Sequence, residues 1–201
     1  KKKNTLELSW QGKEDPLEPT AKPREYIVYT RIGRGGFDNG VRVSSPFHTV
    51  KIEPGIVYSF KVTAVNRGGE SFPSEILAAY KAKREKGQIL IVNGFDRISG
   101  PAVIDTPETV GFDLSQDPGV PYLYDISLCG TQQNFNRKEA GKRLGESREE
   151  YEGMKIIGNT FDYPFIHGKA IQAAGNYSFV SCSDEAVEKG ILSLEDYPIV
   201  D

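Results

Sequence analysis

The chain has 201 residues, of which 38% are hydrophobic and 26% charged, the composition of an ordinary globular protein with one large or two small domains. Its net charge of −3 offers no basic surface, so we expect no nucleic-acid partner. No apolar run approaches the roughly 20 residues that a membrane helix needs, so we expect no membrane span.

The first part of the chain, residues 4–80, has the pattern of an all-β unit. Short alternating stretches recur along it with turn residues between them, as a β-sandwich requires. The first such stretch contains Trp10, a side chain large enough to anchor a sandwich core. We therefore predict a β-sandwich over residues 1–81, followed by a short basic linker over residues 82–87.

The clearest strand follows a Pro-Gly turn and runs through Tyr58. Tyr58 and Phe60 fall on one face of a period-2 pattern. The polar side chains of the same stretch fall on the other face, namely Ser59, Lys61 and Thr63. This alternation predicts a strand that is buried on one face only. Tyr58 also stands where sandwich domains place a tyrosine whose hydroxyl bonds to the upstream backbone.

The remainder, residues 88–201, is predicted to be a partial α/β domain with a parallel, flavodoxin-like sheet. A continuous β-branched run at 88–92 is typical of a strand buried on both faces. Regular periodicity then lapses over about 98–158, which we interpret as a long insertion with one charged helical stretch near 137–151. Two helices, at 165–174 and 184–189, alternate with strands at 177–181 and 197–200.

The chemistry of such a sheet is expected beyond the carboxyl ends of its strands. The polar residues placed there or near there are Asn93, Asp96, Arg97, Asp162, His167, Ser183 and Asp184. Asp96, Asp162, His167 and Ser183 offer a nucleophile, a base and a carboxylate, the groups of a hydrolase-like catalytic site. The structural interpretation is nevertheless favoured: Asp96 pairs with Arg97, Cys182 packs under the sheet, and Ser183 caps its helix.

The insertion and the two cysteines leave further alternatives open. Tyr122 and Tyr124 lie among polar side chains and either bind a glycan by stacking or cover the sheet. Cys129 and Cys182 form a single disulfide or remain two buried thiols. No group of His, Cys, Asp or Glu has metal-ligand spacing, so we expect neither a metal nor a cofactor.

Particular strings of the first part resemble fibronectin type III domains. They are LELSW, REYIVYTRIG and the Tyr58 strand followed by NRGGESFPSE. The resemblance departs from the family at the start, where the usual Pro-rich first strand is missing or reduced to residues 1–4. It implies a sandwich that positions other domains.

The chain as a whole resembles the C-terminal region of secreted Bacteroidetes proteins labelled N-acetylmuramoyl-L-alanine amidase or xanthan lyase. The matching strings are VNGFDRISGPA, GVPYLYDISLCG, GNTFDYPFIHGKAI and YSFVSCSDEAVEKG. In that family a zinc amidase domain precedes the fibronectin-type module, and no part of this chain matches its zinc ligands or catalytic glutamate.

The resemblance implies a non-catalytic accessory region of a peptidoglycan-directed amidase, secreted or held in the periplasm or cell envelope. Its expected partners are adjoining domains of a larger chain, and peptidoglycan or another glycan. Two other hypotheses remain: the α/β domain, once complete, is itself a hydrolase or polysaccharide-active domain, or the chain is a purely structural spacer.

Overall fold

The computed structural model of the protein describes residues 4–12, 14, 19–71, 73–94, 102–108, 110–113, 130–131, 155–156 and 162–201. The chain divides into two units. The first contains residues 1–94 and 163–201, and the second contains residues 95–162.

The described residues form mostly β-sheet, with two α-helices. The strands are β1 (Thr5–Ser9), β2 (Glu25–Ile32), β3 (Val41–Val43), β4 (Phe47–Lys51), β5 (Val57–Asn66), β6 (Gly69–Glu70), β7 (Leu77–Tyr80), β8 (Gly87–Asn93), β9 (Ala102–Asp105), β10 (Val110–Asp113), β11 (Gly130–Thr131), β12 (Lys155–Ile156), β13 (Tyr177–Ser183) and β14 (Ile199–Val200). The helices are α1 (Tyr163–Ala174) and α2 (Asp184–Glu188). Single 3-10 turns occur at Pro19–Ala21 and Leu194–Asp196.

The first unit packs a small sheet against a large one. The small sheet is the antiparallel pair β1–β4, and the large sheet has the strand order β14-β8-β13-β7-β5-β2-β3, with β6 paired to β5. The buried side chains of the core between them are Ile52, Tyr58, Phe60 and Ala79, with Leu6, Leu8, Val50 and Ile56 packed around these. The predicted β-rich first half is confirmed.

Tyr58 makes the backbone contact that the sequence predicted. Its hydroxyl accepts a hydrogen bond of 3.1 Å from the Glu53 N–H, and its side chain is buried. The ring also stacks on that of Phe60, with centroids 6.4 Å apart. Tyr58 thus fixes the turn that leads into β5.

The large sheet continues from the sandwich into the later part of the chain. Strand β13 pairs antiparallel with β7, with Phe179 opposite Tyr80. The Ser181 hydroxyl replaces further ladder bonds, because it accepts from the Ala78 N–H at 2.7 Å and donates to the Ala78 carbonyl at 2.8 Å. Near the start of β13, the Ser178 hydroxyl likewise accepts a hydrogen bond from the Ala82 N–H at 3.0 Å.

A separate α/β domain is therefore not supported. The predicted parallel pairing is present, since β8 pairs in parallel with both β13 and β14. These strands nevertheless extend the sheet of the sandwich, because the side chains of β13 bond to the backbone of β7. The predicted helices are found at nearly the expected positions, and α1 ends before Gly175, whose φ of +107° suits glycine alone.

Helix α1 covers the face of the large sheet that points away from β1 and β4. The buried side chains of this second core are Val57, Ala78, Tyr80, Ala82, Ile89, Ile91, Phe165 and Phe179. The helix approaches the sheet closely at Gly168, where a Cβ atom would lie 2.1 Å from the Phe179 Cζ. Only glycine fits at this point of the helix.

The predicted solvent face of β5 is buried, so that prediction was wrong. Ser59, Lys61 and Thr63 are each exposed by 1% or less. The Lys61 Nζ lies 4.4 Å from the centroid of the Phe37 ring, and the Ser59 hydroxyl accepts a 2.8 Å bond from Arg31. Polar side chains therefore line an interior layer on this face of β5. They interact with aromatic rings and hydroxyl groups there, whereas the alternating pattern led us to expect contact with water.

The second unit contains two antiparallel strand pairs among its described residues. Strand β9 pairs with β10, and β11 pairs with β12. Most of the predicted insertion over 98–158, with its helical stretch, lies outside the described residues.

Candidate functional site

The carboxyl ends of the parallel strands bring several of the predicted residues together. Asn93 ends β8 and lies directly opposite Ser183, which ends β13. Asp184 follows at the first position of α2. Asn93 is buried, whereas Ser183 and Asp184 are partly exposed. This part of the sequence prediction is consistent with the sheet geometry.

A histidine–carboxylate pair lies beside the same edge. The Nδ1 of His167, on α1, is 2.8 Å from the Oδ2 of Asp201. The backbone of Asp201 is fixed to β8, because its N–H donates to the Leu90 carbonyl at 2.8 Å and its carbonyl accepts from the Val92 N–H at 2.9 Å. The pair therefore ties the helix to the last strand.

The sequence did not single out Asp201, although a signal for it exists. A third parallel strand ending at residue 200 places the next residue at the carboxyl edge, beside β8. Asp201 is level with Ile91, two residues before Asn93, or about 7 Å along the strand at the usual rise. Asp201 is the carboxylate that the described residues place on His167.

The chemistry of this pair is limited by its exposure. A carboxylate on Nδ1 holds the ring with Nε2 available as a base, as in catalytic triads. The His167 and Asp201 side chains are, however, 48% and 42% exposed. Water competes for both groups, so the interaction is expected to be weak.

Ser183 occupies the N-cap position of α2 but does not cap it. Its backbone is extended, with φ −76° and ψ 160°, yet its side chain makes no capping hydrogen bond. The prediction that the Ser183 side chain caps the helix was therefore wrong, whereas the predicted start of the helix at Asp184 is confirmed. Asp184 and Glu185 in the first turn instead complement the helix dipole.

Cys182 is a buried free thiol near Asp184 and Tyr197. Burial raises the pKa of the Cys182 thiol, and the Asp184 carboxylate raises it further. Burial also raises the pKa of the Tyr197 hydroxyl, with smaller contributions from Cys182 and Asp196. Because the thiolate is the nucleophile, a raised pKa makes Cys182 a poorer nucleophile than an ordinary cysteine.

The other predicted residues are placed as follows. Asp162 directly precedes α1 and is partly exposed. The remaining ones lie outside the described residues, namely Asp96, Arg97, Tyr122, Tyr124 and Cys129. The glycan-stacking alternative stays a prediction, whereas the disulfide alternative is not supported, because Cys182 is a free thiol.

Within the described ranges, no group of three or more His, Cys, Asp or Glu side chains could hold a metal ion. No helix in the part of the chain that the structure describes is both long and apolar enough to cross a bilayer.

Comparison with known proteins places the chain only loosely. No family model matches the sequence, and no curated protein matches it either. Among solved structures, the chain is similar to the twitchin kinase region from C. elegans (Fn31-NL-kin-CRD-Ig26), at 19% identity and a TM-score of 0.34. That similarity covers 51% of this chain and 22% of the other, and it carries no argument about function.

Proposed function

We propose that the chain is a non-catalytic accessory region of a secreted, peptidoglycan-directed amidase, and that it positions neighbouring domains on the cell wall. The proposal takes its cell-wall target and its cell-envelope location from the sequence resemblance. Its partners are adjoining domains of a larger chain and peptidoglycan.

Strand pairing supports a fibronectin type III-like identity for the sandwich. One sheet pairs β1 with β4, and the other runs β3-β2-β5-β7 before it continues into β13. With β1, β2, β4, β5 and β7 as strands B, C, E, F and G, the described strands pair as these five do in such a sandwich. The Glu53–Tyr58 bond lies at the E–F corner, as in sandwich domains of this type.

The observation that carries the proposal is the continuous sheet between the sandwich and the later strands. Hydroxyls of Ser178 and Ser181 bond to β7, and the Tyr80 and Phe179 rings stack with centroids 6.1 Å apart. On α1, the Gln172 side chain donates a 2.7 Å bond to the Gly55 carbonyl at the turn before β5. Contacts of this kind make a rigid unit, which a positioning module requires.

Sedimentation with purified peptidoglycan sacculi tests this proposal. The chain is incubated with sacculi at physiological ionic strength, and the pellet and soluble muropeptides are both analysed. We expect the chain in the pellet and no release of muropeptides. Insoluble cellulose, which lacks peptide stems, is the control and should leave the chain in solution. Release of muropeptides would contradict a non-catalytic role, and a chain that stays in the supernatant would contradict cell-wall positioning.

A hydrolase remains the second candidate, and the His167–Asp201 pair is the observation that favours it. A carboxylate-oriented imidazole beside the carboxyl ends of parallel strands has the geometry of a general base. If this candidate is correct, the sacculi assay yields soluble products, and the His167→Ala variant abolishes them without lowering thermal stability appreciably. Asp201→Asn should then reduce the rate as well, because it removes the charge that holds the ring.

A further inference from the structure

The last strand and the turns before it present exposed apolar side chains. They are Ile191, Leu194, Ile199 and Val200, with exposed fractions of 56%, 41%, 43% and 42%. We call these four residues and the open edge of β14 the β14 surface. Single exposed apolar residues are ordinary, but four within ten positions of the chain, two of them on an edge strand, are typical of an interaction site.

The backbone of β14 also offers unused hydrogen-bonding groups. Strand β14 is terminal in the strand order of the sheet formed by the described residues. Asp201 directs its N–H and carbonyl toward β8, where they bond to Leu90 and Val92. Because these directions alternate along a strand, the N–H and carbonyl of Val200 point to the open edge. An extended peptide could pair with them and add a strand to the sheet.

The charge of this region selects the partner. From Asp184 to Asp201 the chain has six acidic side chains and one basic one, a net charge of −5, whereas the whole chain carries −3. Glu195 and Asp196 precede β14 closely and Asp201 follows it, so two copies that paired through the same edge would bring these acidic residues near their counterparts. Like charges at such an interface are unfavourable, so the second copy is a poor occupant.

We propose that the β14 surface binds an extended, lysine- or arginine-rich segment of another protein, which pairs with β14 as an additional strand. Backbone bonds to Val200 supply the register, and side chains of the segment lie beside Val200 on one face of the sheet and beside Ile199 on the other. The basic side chains meet the acidic segment 184–201, which speeds association and gives specificity. This proposal does not rest on peptidoglycan binding.

Two synthetic heptapeptides of alternating sequence test the proposal. One alternates lysine with valine, and its matched control alternates glutamate with valine. Binding of each labelled peptide to the 201-residue chain is measured by fluorescence anisotropy. We expect the lysine peptide to bind at least about tenfold more tightly, and its affinity to fall as salt is raised. Equal binding of both peptides, or binding of neither, would overturn the proposal.

Variants at Val200 test the strand pairing itself. Val200→Pro removes the outward N–H but leaves the bonds of Asp201 to β8 in place, as edge strands tolerate. We expect about tenfold weaker binding of the lysine peptide, the effect of one lost hydrogen bond. Val200→Ala keeps the N–H and is the matched control, with a smaller loss. Equal affinity of Val200→Pro and the wild type would exclude strand pairing.

A measurement on the wild type covers the case in which Val200→Pro does not fold. Hydrogen exchange of the Val200 amide should be fast in the free chain and slowed when the lysine peptide is bound. Unchanged exchange would overturn the proposal. Light scattering provides a further check, because a dimer of the free chain that Val200→Pro dissociates would make a second copy the occupant instead.

Discussion

Gly168 is the residue whose replacement should be most informative about the packing of α1. Alanine normally stabilises a helix relative to glycine by about 1 kcal/mol. Here the added Cβ would lie 2.1 Å from the ring of Phe179, which is only 1% exposed and cannot move aside easily. We therefore expect Gly168→Ala to lower the free energy of unfolding by about 1–3 kcal/mol in urea titrations.

An exposed position of the same helix gives the matched control for this substitution. Ala173→Gly, near the end of α1, should lower stability by about 1 kcal/mol through helix propensity alone. If Gly168→Ala instead raised stability, the close approach of α1 to β13 would be wrong.

Tyr29 should make stability depend on pH in alkaline solution. Burial, followed by the hydrogen bond that its hydroxyl donates to Glu70, raises the pKa of Tyr29 to about 12. Because the folded-state pKa lies above the ordinary value of about 10, the stabilising contribution is complete below pH 10. It is lost as the pH rises from about 10 to about 12, where the unfolded chain is deprotonated first.

Urea titrations between pH about 9 and about 12 measure this dependence. Tyr29→Phe should flatten the alkaline loss of stability, because it removes the ionisable hydroxyl. Glu70→Gln keeps a hydrogen-bond acceptor but removes the charge, so its slope should be intermediate. An unaltered slope in Tyr29→Phe would contradict the assignment of the loss to this hydroxyl.

At the scale of elements, the pairing of β7 with β13 depends on serine hydroxyls. Ser181→Ala removes both bonds to Ala78 and leaves its N–H without that acceptor. We expect a loss of about 1–3 kcal/mol in the free energy of unfolding. Hydrogen exchange of the Ala78 amide should accelerate more than that of the β5 amides.

Ser183 belongs to the same strand and provides the control. Its side chain makes no capping bond, so Ser183→Ala should change stability by no more than about 0.5 kcal/mol. Equal losses in the two alanine variants would mean that the hydroxyl bonds to Ala78 do not hold β13 to β7.

Local elements were predictable from the sequence because their signals are local. A proline in the first turn and a glycine after the last residue bracket α1, and alternation around Tyr58 identifies β5. The corner bond of Tyr58 was likewise predictable, since it depends on a strand and the turn just before it.

What covers each element could not be predicted in the same way. A period-2 pattern shows which residues share a face of the strand. A polar residue such as Lys61 then predicts that this face is exposed to solvent, and the pattern does not show that an element distant in sequence covers it. The pairing of Tyr80 with Phe179 joins residues far apart in sequence, and no short motif encodes it. Asp201 was missed for a related reason, because its role depends on the register of β14 against β8.

At the scale of the whole first unit, one sheet serves two cores. Its inner face packs on β1 and β4, and its outer face packs on α1. Strand β7, from the first part of the chain, pairs with β13, from the later part. The sandwich and the later strands should therefore unfold together. A positioning role depends on this coupling, because a flexible joint would not fix the direction of neighbouring domains.

Hydrogen exchange with mass spectrometry across a urea series tests this coupling most directly. The account predicts that peptides covering β5 (57–66) and β13 (177–183) lose protection at the same urea midpoint, and that Ser181→Ala shifts both midpoints together. Loss of protection in β13 at a clearly lower urea concentration, with β5 still protected, would contradict a single rigid unit and the positioning role that rests on it.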